Sequence, residues 1–249
     1  NIHATTAPEF VVSRLTGTHP VTDPTDAVSW GVYDLKKMSW NYDLIDSLGL
    51  DRTLFSNLAD SCTPVGQLTT AMAEKLGVAD GIPVSVASGD HQCSFAGTVA
   101  DYRNTVAVNV GTGGQASVYV DQRTPRGWLE LRPYIQSGYL LAGVGVVGGR
   151  TFRTLRDFFK NTSKVISGYE LDPDVLYDRL VELAAEVPAG AEGMAFDPLF
   201  TGSRSNPLAN AAIREITPGT FTPGHMARSL FEAMALHLAD SYREAAKLG

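Results

Sequence analysis

Basic residues are scarce in this chain, and charge is scarce altogether. Twenty Lys and Arg stand against 27 Asp and Glu, charged residues make up 19% of the 249, and the formal net charge is −7. Nucleic acids and anionic membrane surfaces are bound through basic patches, so neither is expected as the main partner. No apolar run approaches the ~20 residues a membrane-spanning helix requires; the run at 142–147 is broken by glycines. Cysteine is almost missing. Cys62 and Cys93 are isolated from each other, which excludes a disulfide framework or a cysteine metal spacing and makes the cytoplasm the default compartment. The first eight residues have no initiator Met, basic n-region or apolar h-region, so no signal peptide is read and a cut end is expected. Repeats and low-complexity tracts are absent as well, which sets aside solenoids and propellers.

Hydrophobic residues make up 44% of the chain, enough to bury the core of one large domain or two modest ones. Helical spacing is expected over 8–15, with Gly17 beyond its end, over 41–48 with Leu44, Ile45 and Leu48 on one face, and over 69–76 before Gly77. Residues 83–88 are expected to form a buried strand that delivers Gly89-Asp90-His91-Gln92 at its carboxyl end, where open α/β folds place ligands. Alternation predicts strands at 105–110 and 115–120, joined through Gly111-Thr112-Gly113-Gly114. A strand begins at 139–141, and helices are expected over 151–160, 174–186 and 224–247, the last with Met226, Leu230, Met234 and Leu238 as a core stripe. A domain boundary is placed near 98–104.

Several of these segments can carry chemistry. In the loop at 111–114 the backbone N–H groups and the Thr112 hydroxyl form either a phosphate cradle or an ordinary hairpin loop. Asp90 suits a general base that accepts a hydroxyl proton, and equally a turn aspartate. His91 and Gln92 can hydrogen-bond a polyhydroxylated ligand or local backbone, while His3, His19, His225 and His237 show no metal-ligand spacing. Gly143 to Gly148 match G-x-G-x-x-G with Glu170 beyond, but the following helix leads into another helix where a dinucleotide-binding unit needs a parallel strand. The start of that helix, near 149–153, favours an anion, and Arg150, Arg153 and Arg156 face either phosphate or water. In 197–207, Arg204 either anchors an anion or braces the loop. No G-x-S-x-G elbow of a serine hydrolase occurs.

Taken in order, Arg14-Leu15-Thr16-Gly17, Tyr33-Asp34-Leu35, Trp40 with residues 44–50, Val65-Gly66, Gly81-Ile82-Pro83-Val84, Gly89-Asp90, Gly111-Thr112, Gly149 with Leu155-Arg156-Asp157, and Phe200-x-Gly202-x-Arg204-x-x-Pro207 resemble the FGGY carbohydrate kinases. The resemblance covers nearly the whole chain, and Gly-Asp-His-Gln-Cys-Ser at 89–94 leans toward the sedoheptulokinase and ketose-kinase side. It implies an α/β, actin-like ATPase (ribonuclease H-like) two-domain fold, incomplete in this chain. Residues 1–100 would form the C-terminal part of the first, sugar-binding domain and 101–249 most of the second, nucleotide-binding one. The implied activity is ATP- and Mg²⁺-dependent phosphorylation of a ketose or related polyol in a cleft between the two domains. Asp90 would be the catalytic base, Asp90 and His91 would contact the sugar, and Gly111, Thr112, Gly149 and Arg153 would contact the nucleotide. The family's Asp-x-Gly-Thr phosphate loop and Gly-Gly adenosine segment are expected outside these residues, and Gly113 stands where many relatives have Ser. The alternatives are a non-catalytic sugar- or nucleotide-binding module, including an inactive fragment of such a kinase, and an NAD-linked oxidoreductase. A homo-oligomer is left open.

Overall fold

The computed structural model describes residues 3–135, 137–203 and 206–247. The chain divides into two compact units, one from residues 1–107 and 118–141, the other from 108–117 and 142–249.

In the first unit, α1 (Ala7–Thr16) opens with Pro8 in its first turn and closes on Gly17, whose φ of +70° lets its N–H reach Ser13 O at 2.9 Å. It is followed by β1 (Val21–Thr22), α2 (Pro24–Ala27), the hairpin β2 (Tyr33–Asp34) and β3 (Ser39–Trp40), α3 (Tyr42–Ser47) and β4 (Asn57–Leu58). β1 and β4 pair in parallel. Next come β5 (Pro64–Gln67), α4 (Thr70–Leu76), β6 (Pro83–Ser85) and α5 (Asp90–Thr98). Ala27, Val32, Trp40 and Ile45 are buried together, with Trp30 and Phe55 against them, and the Trp40 indole N–H donates to Ser56 O at 2.9 Å. α3 turns only Ile45 inward, whereas Leu44 and Leu48 are exposed. The helix is six residues long and ends before Leu48, too short to present the three-residue face expected.

The buried strand expected over 83–88 is also corrected. β6 is three residues, pairs antiparallel with β5 across a bulge, and leaves Pro83 and Ser85 exposed. The chain then turns at 86–89 and begins α5, so Asp90 stands at the head of a helix.

β7 (Val106–Val110), β8 (Gly113–Val120), β9 (Glu130–Pro133) and β10 (Tyr139–Val147) form a sheet in the order β7-β8-β10-β9. Val108 and Val110 share one face of β7, as the alternation required, and both are exposed. β10 runs through Gly143 to residue 147, so the expected glycine-dense turn reduces to Gly148 and Gly149, and the first two glycines of the G-x-G-x-x-G match lie in a strand.

In the second unit, α6 (Gly149–Ser167) leads directly into α7 (Pro173–Glu186), then the hairpin β11 (Ala195–Asp197) and β12 (Ala212–Arg214), and α8 (Pro223–Ala246). The helix-to-helix succession removes the dinucleotide-binding reading, since the element that follows α6 is α7 and not a parallel strand. Phe152 and Leu155 of α6, Leu180 of α7, and Met226, Leu230 and Met234 of α8 form the core. Burying an apolar stripe of this kind is what stabilises an amphipathic helix in a fold. Leu238 continues the stripe half-buried.

Candidate active site

The first unit contains a cleft of about 370 Å³, lined among others by Asp26, Ser29, Asp90, Gln92, Glu130 and Arg132. Its floor is organised by Asp23, which caps α2 and is fully buried. The Asp23 carboxylate accepts from the hydroxyls of Thr25 at 2.7 Å, Ser61 at 2.5 Å and Ser88 at 2.7 Å, and from the Asp26 N–H at 3.0 Å. A buried carboxylate is tolerable only when donors replace its water, and here the donors come from three distant parts of the chain. Thr25 passes the tether on, because its oxygen also accepts the Gly89 N–H at 2.8 Å. The backbone on either side of the Ser88-Gly89 bond is thereby fixed just ahead of Asp90.

Gly89 lies in close approach to its neighbours. A Cβ there would lie 2.6 Å from Gln92 Oε1 and 3.2 Å from Thr25 O. Gln92 is itself buried and donates to Pro133 O at 3.1 Å. Asp90 then opens α5 with an exposed carboxylate whose Oδ1 accepts the His91 N–H at 2.6 Å. The first turn of a helix favours an anion, and among the described residues no cation pairs with Asp90.

His91 lies one layer back. It does not line the cleft among the described residues; its ring is buried, with Nδ1 3.2 Å from Arg132 Nη1. A guanidinium only donates, so Nδ1 accepts and the imidazole proton resides on Nε2. Burial first, and the Arg132 charge second, push His91 below the usual imidazole range, against an opposing pull from Asp90. Arg132 also holds the Glu130 carboxylate, at 2.6 Å from Nη2 and 3.1 Å from Nε. Asp26 is raised above the usual carboxylate range by burial and, with the Thr6 hydroxyl opposing, by the nearby charges of Asp23 and Asp90.

In the second unit, the structure brings Gly111, Thr112 and Gly149 together. The Gly149 and Arg150 N–H groups donate to Gly111 O and Thr112 O at 2.8 and 3.0 Å, and Thr151 N–H donates to Gly148 O at 2.9 Å. The expectation of an anion on these first helical amides is therefore corrected, because all three already have acceptors. A Cβ on Gly148 would lie 2.6 Å from the Gly113 carbonyl carbon and 2.9 Å from Gly114 N, so the glycine allows the loop at 111–114 to seat on the strand-to-helix turn. The Thr112 hydroxyl is exposed and has no partner among the described residues, which suits it to a phosphate oxygen. Arg153 is exposed one turn into α6, while Arg156 pairs with Asp157 at 2.7 Å. Arg204 lies outside the described residues.

No group of three or more His, Cys, Asp or Glu suited to a metal ion occurs among the described residues, and no helix among them is long and apolar enough to cross a membrane. Sequence reasoning missed Asp26, Glu130 and Arg132. A line of α/β strands gives no sign that residues 26, 90 and 132 converge.

Comparison with known proteins follows the same lines. Residues 3–97 match the N-terminal domain of the FGGY family of carbohydrate kinases. The chain is 32% identical over 196 residues to the autoinducer-2 kinase of Klebsiella pneumoniae, covering 78% of this chain and 36% of that one. It is 31% identical over 232 residues to the glycerol kinase of Dechloromonas aromatica, covering 88% and 42%. Among solved structures, the ligand-bound xylulose kinase from Lactobacillus acidophilus superposes with a TM-score of 0.78 at 25% identity, over 96% of this chain and 47% of that one. The chain thus spans less than half the length of each of these relatives.

Proposed function

Since the chain belongs to the FGGY family of carbohydrate kinases and carries part of their α/β actin-like ATPase fold, we propose that the protein phosphorylates a hydroxyl of a ketose or related polyol, xylulose or sedoheptulose among them. The observation that carries this reading is the setting of Asp90, an exposed carboxylate in the cleft, on a backbone tethered through Thr25 and Ser88 to buried Asp23. Asp90 takes the hydroxyl proton as the oxygen attacks phosphorus. Arg132 and Gln92 supply donors along the same cleft, and His91 acts on the sugar through Arg132, which it holds in place.

MgATP, when bound, supplies the electrophilic γ-phosphoryl group and the ADP that leaves. The Thr112 hydroxyl would hold its phosphates, with Gly111, whose N–H already donates to Gly113 O at 2.9 Å, and Gly149 shaping that turn and Arg153 available to the nucleotide. Phosphoryl transfer depends chiefly on positioning and charge stabilisation, and these residues serve the first. Residues 1–100 correspond in this reading to the later part of the sugar-binding domain and 101–249 to most of the nucleotide-binding domain, apart from 101–107 and 118–141, which belong to the first compact unit.

Asp90→Asn in the intact protein tests the proposal. A positioned general base contributes roughly 10²–10⁴-fold, so kcat should fall by that factor while calorimetry still registers sugar binding. Turnover within a few-fold of the unmodified protein removes Asp90 as base. Sugar or nucleotide binding by the unmodified protein without any product would favour the non-catalytic binding module.

A further inference from the structure

The cleft holds a second carboxylate that the proposed chemistry does not use. Asp26 lies in α2 and lines the cleft together with Asp90. Its backbone is fixed: the N–H donates to Asp23 Oδ1 at 3.0 Å, and the carbonyl accepts the Ser29 hydroxyl at 2.7 Å. The side chain has far less. A carboxylate offers about four acceptor positions, and among the described residues its one side-chain partner is the Thr6 hydroxyl, 2.5 Å from Oδ2. That hydroxyl also lies 3.1 Å from Oε1 of buried Glu9. A single hydroxyl proton cannot serve both carboxylates at once, so Asp26 is left short of donors, half-buried, and next to two other aspartates.

Such a group opposes folding, because like charges and desolvation both act against its ionised form. Residues that cost stability in this way concentrate where a ligand supplies the missing partner. The missing partner here is a hydroxyl donor. Asp26, Asp90 and Glu130 outnumber Arg132 along the cleft, so the surroundings disfavour an anionic sugar and suit a neutral polyol.

We infer that Asp26 is a specificity-determining residue, accepting from a neutral polyol substrate a hydroxyl other than the one Asp90 deprotonates. The inference rests on the kinase reading above but adds to it a residue, a bond and a substrate requirement. The substrate must carry at least two hydroxyls, one placed at Asp90 and one at Asp26.

The test uses the intact protein with D-xylulose, D-sedoheptulose and glycerol as probes, together with the monodeoxy analogues of whichever is phosphorylated. A site built to accept a substrate hydroxyl discriminates strongly against the analogue lacking it, so the unmodified protein should disfavour one analogue by at least about tenfold in kcat/KM. Asp26→Ala should raise KM for the parent polyol by about tenfold or more, with kcat within about threefold. It should also abolish the penalty on that one analogue while leaving the penalties on the others. Asp26→Asn, which keeps an acceptor oxygen, should fall between. An unfolding temperature no lower than that of the unmodified protein shows that the variants are folded. KM within twofold in Asp26→Ala, or an equal loss against every analogue, overturns the role of Asp26 and leaves Asp90 as base untouched. Failure of the unmodified protein to phosphorylate any of the three probes overturns the kinase reading and this inference with it.

Discussion

His91 has its Nδ1 3.2 Å from a guanidinium nitrogen of Arg132, so an imidazole with an ordinary value of 6.5 is held neutral by burial and by a neighbouring positive charge, in that order of weight. The consequence for stability has a definite sign. Between the lowered folded value and 6.5, the unfolded chain binds a proton that the fold refuses, so stability falls as the pH drops through that window and levels off below it. Arg132→Met should move the imidazole back toward 6.5, read from the His91 ring-proton NMR shift across pH, and should flatten the acid-side loss in denaturant titrations. An unmoved titration would mean that burial alone sets it. Keeping His91 neutral has a structural use, since only a neutral ring can accept from Arg132 and so hold the guanidinium where it lines the cleft.

At the scale of elements, the turn between β10 and α6 carries a sharp expectation. Gly148 packs directly on backbone, with Gly113 carbonyl carbon, Gly113 Cα and Gly114 N within 2.6, 2.8 and 2.9 Å of where a Cβ would be. Backbone cannot swing aside as a flexible side chain can. Gly148→Ala should therefore displace the start of β8 and with it the turn at 111–112, weakening MgADP binding by about tenfold or more in calorimetry and lowering stability by roughly 1–3 kcal/mol. Unchanged affinity would separate that turn from the nucleotide. The glycines at helix ends were legible beforehand, because Gly17 and Gly77 close α1 and α4 through left-handed conformations that any reader of helix stops expects. The α8 stripe was legible for the same reason, as 24 helical residues give periodicity room to show. The two-residue strands β1 and β4 were not. Nor was the placement of Asp90 on a helix, which depends on Ser88 and Gly89 being held by Asp23 and Thr25, some 65 residues away in the chain. Asp26 and Arg132 escaped notice because each is unremarkable among its sequence neighbours and gains meaning only where α2 and β9 line one cleft.

Over the whole molecule, the acid excess bears on how the proposed nucleotide would be held. A chain of net charge −7 repels MgATP at long range, and that repulsion is screened within about 10 Å at 0.1 M salt and about 3 Å at 1 M. The group proposed for the phosphates, the Thr112 hydroxyl in the turn between β7 and β8, is a dipole in direct contact and is screened little. Arg153 is the one cation proposed beside it, and it is exposed, so only its share should weaken with salt while the repulsion weakens alongside it. The two effects oppose each other. MgADP affinity measured by calorimetry at 0.1 and 1 M NaCl should consequently change by less than about fivefold. A loss well beyond that would require several exposed, salt-screened cations acting together, and would move the nucleotide from the turn at 111–112 to the exposed Arg150 and Arg153 on α6.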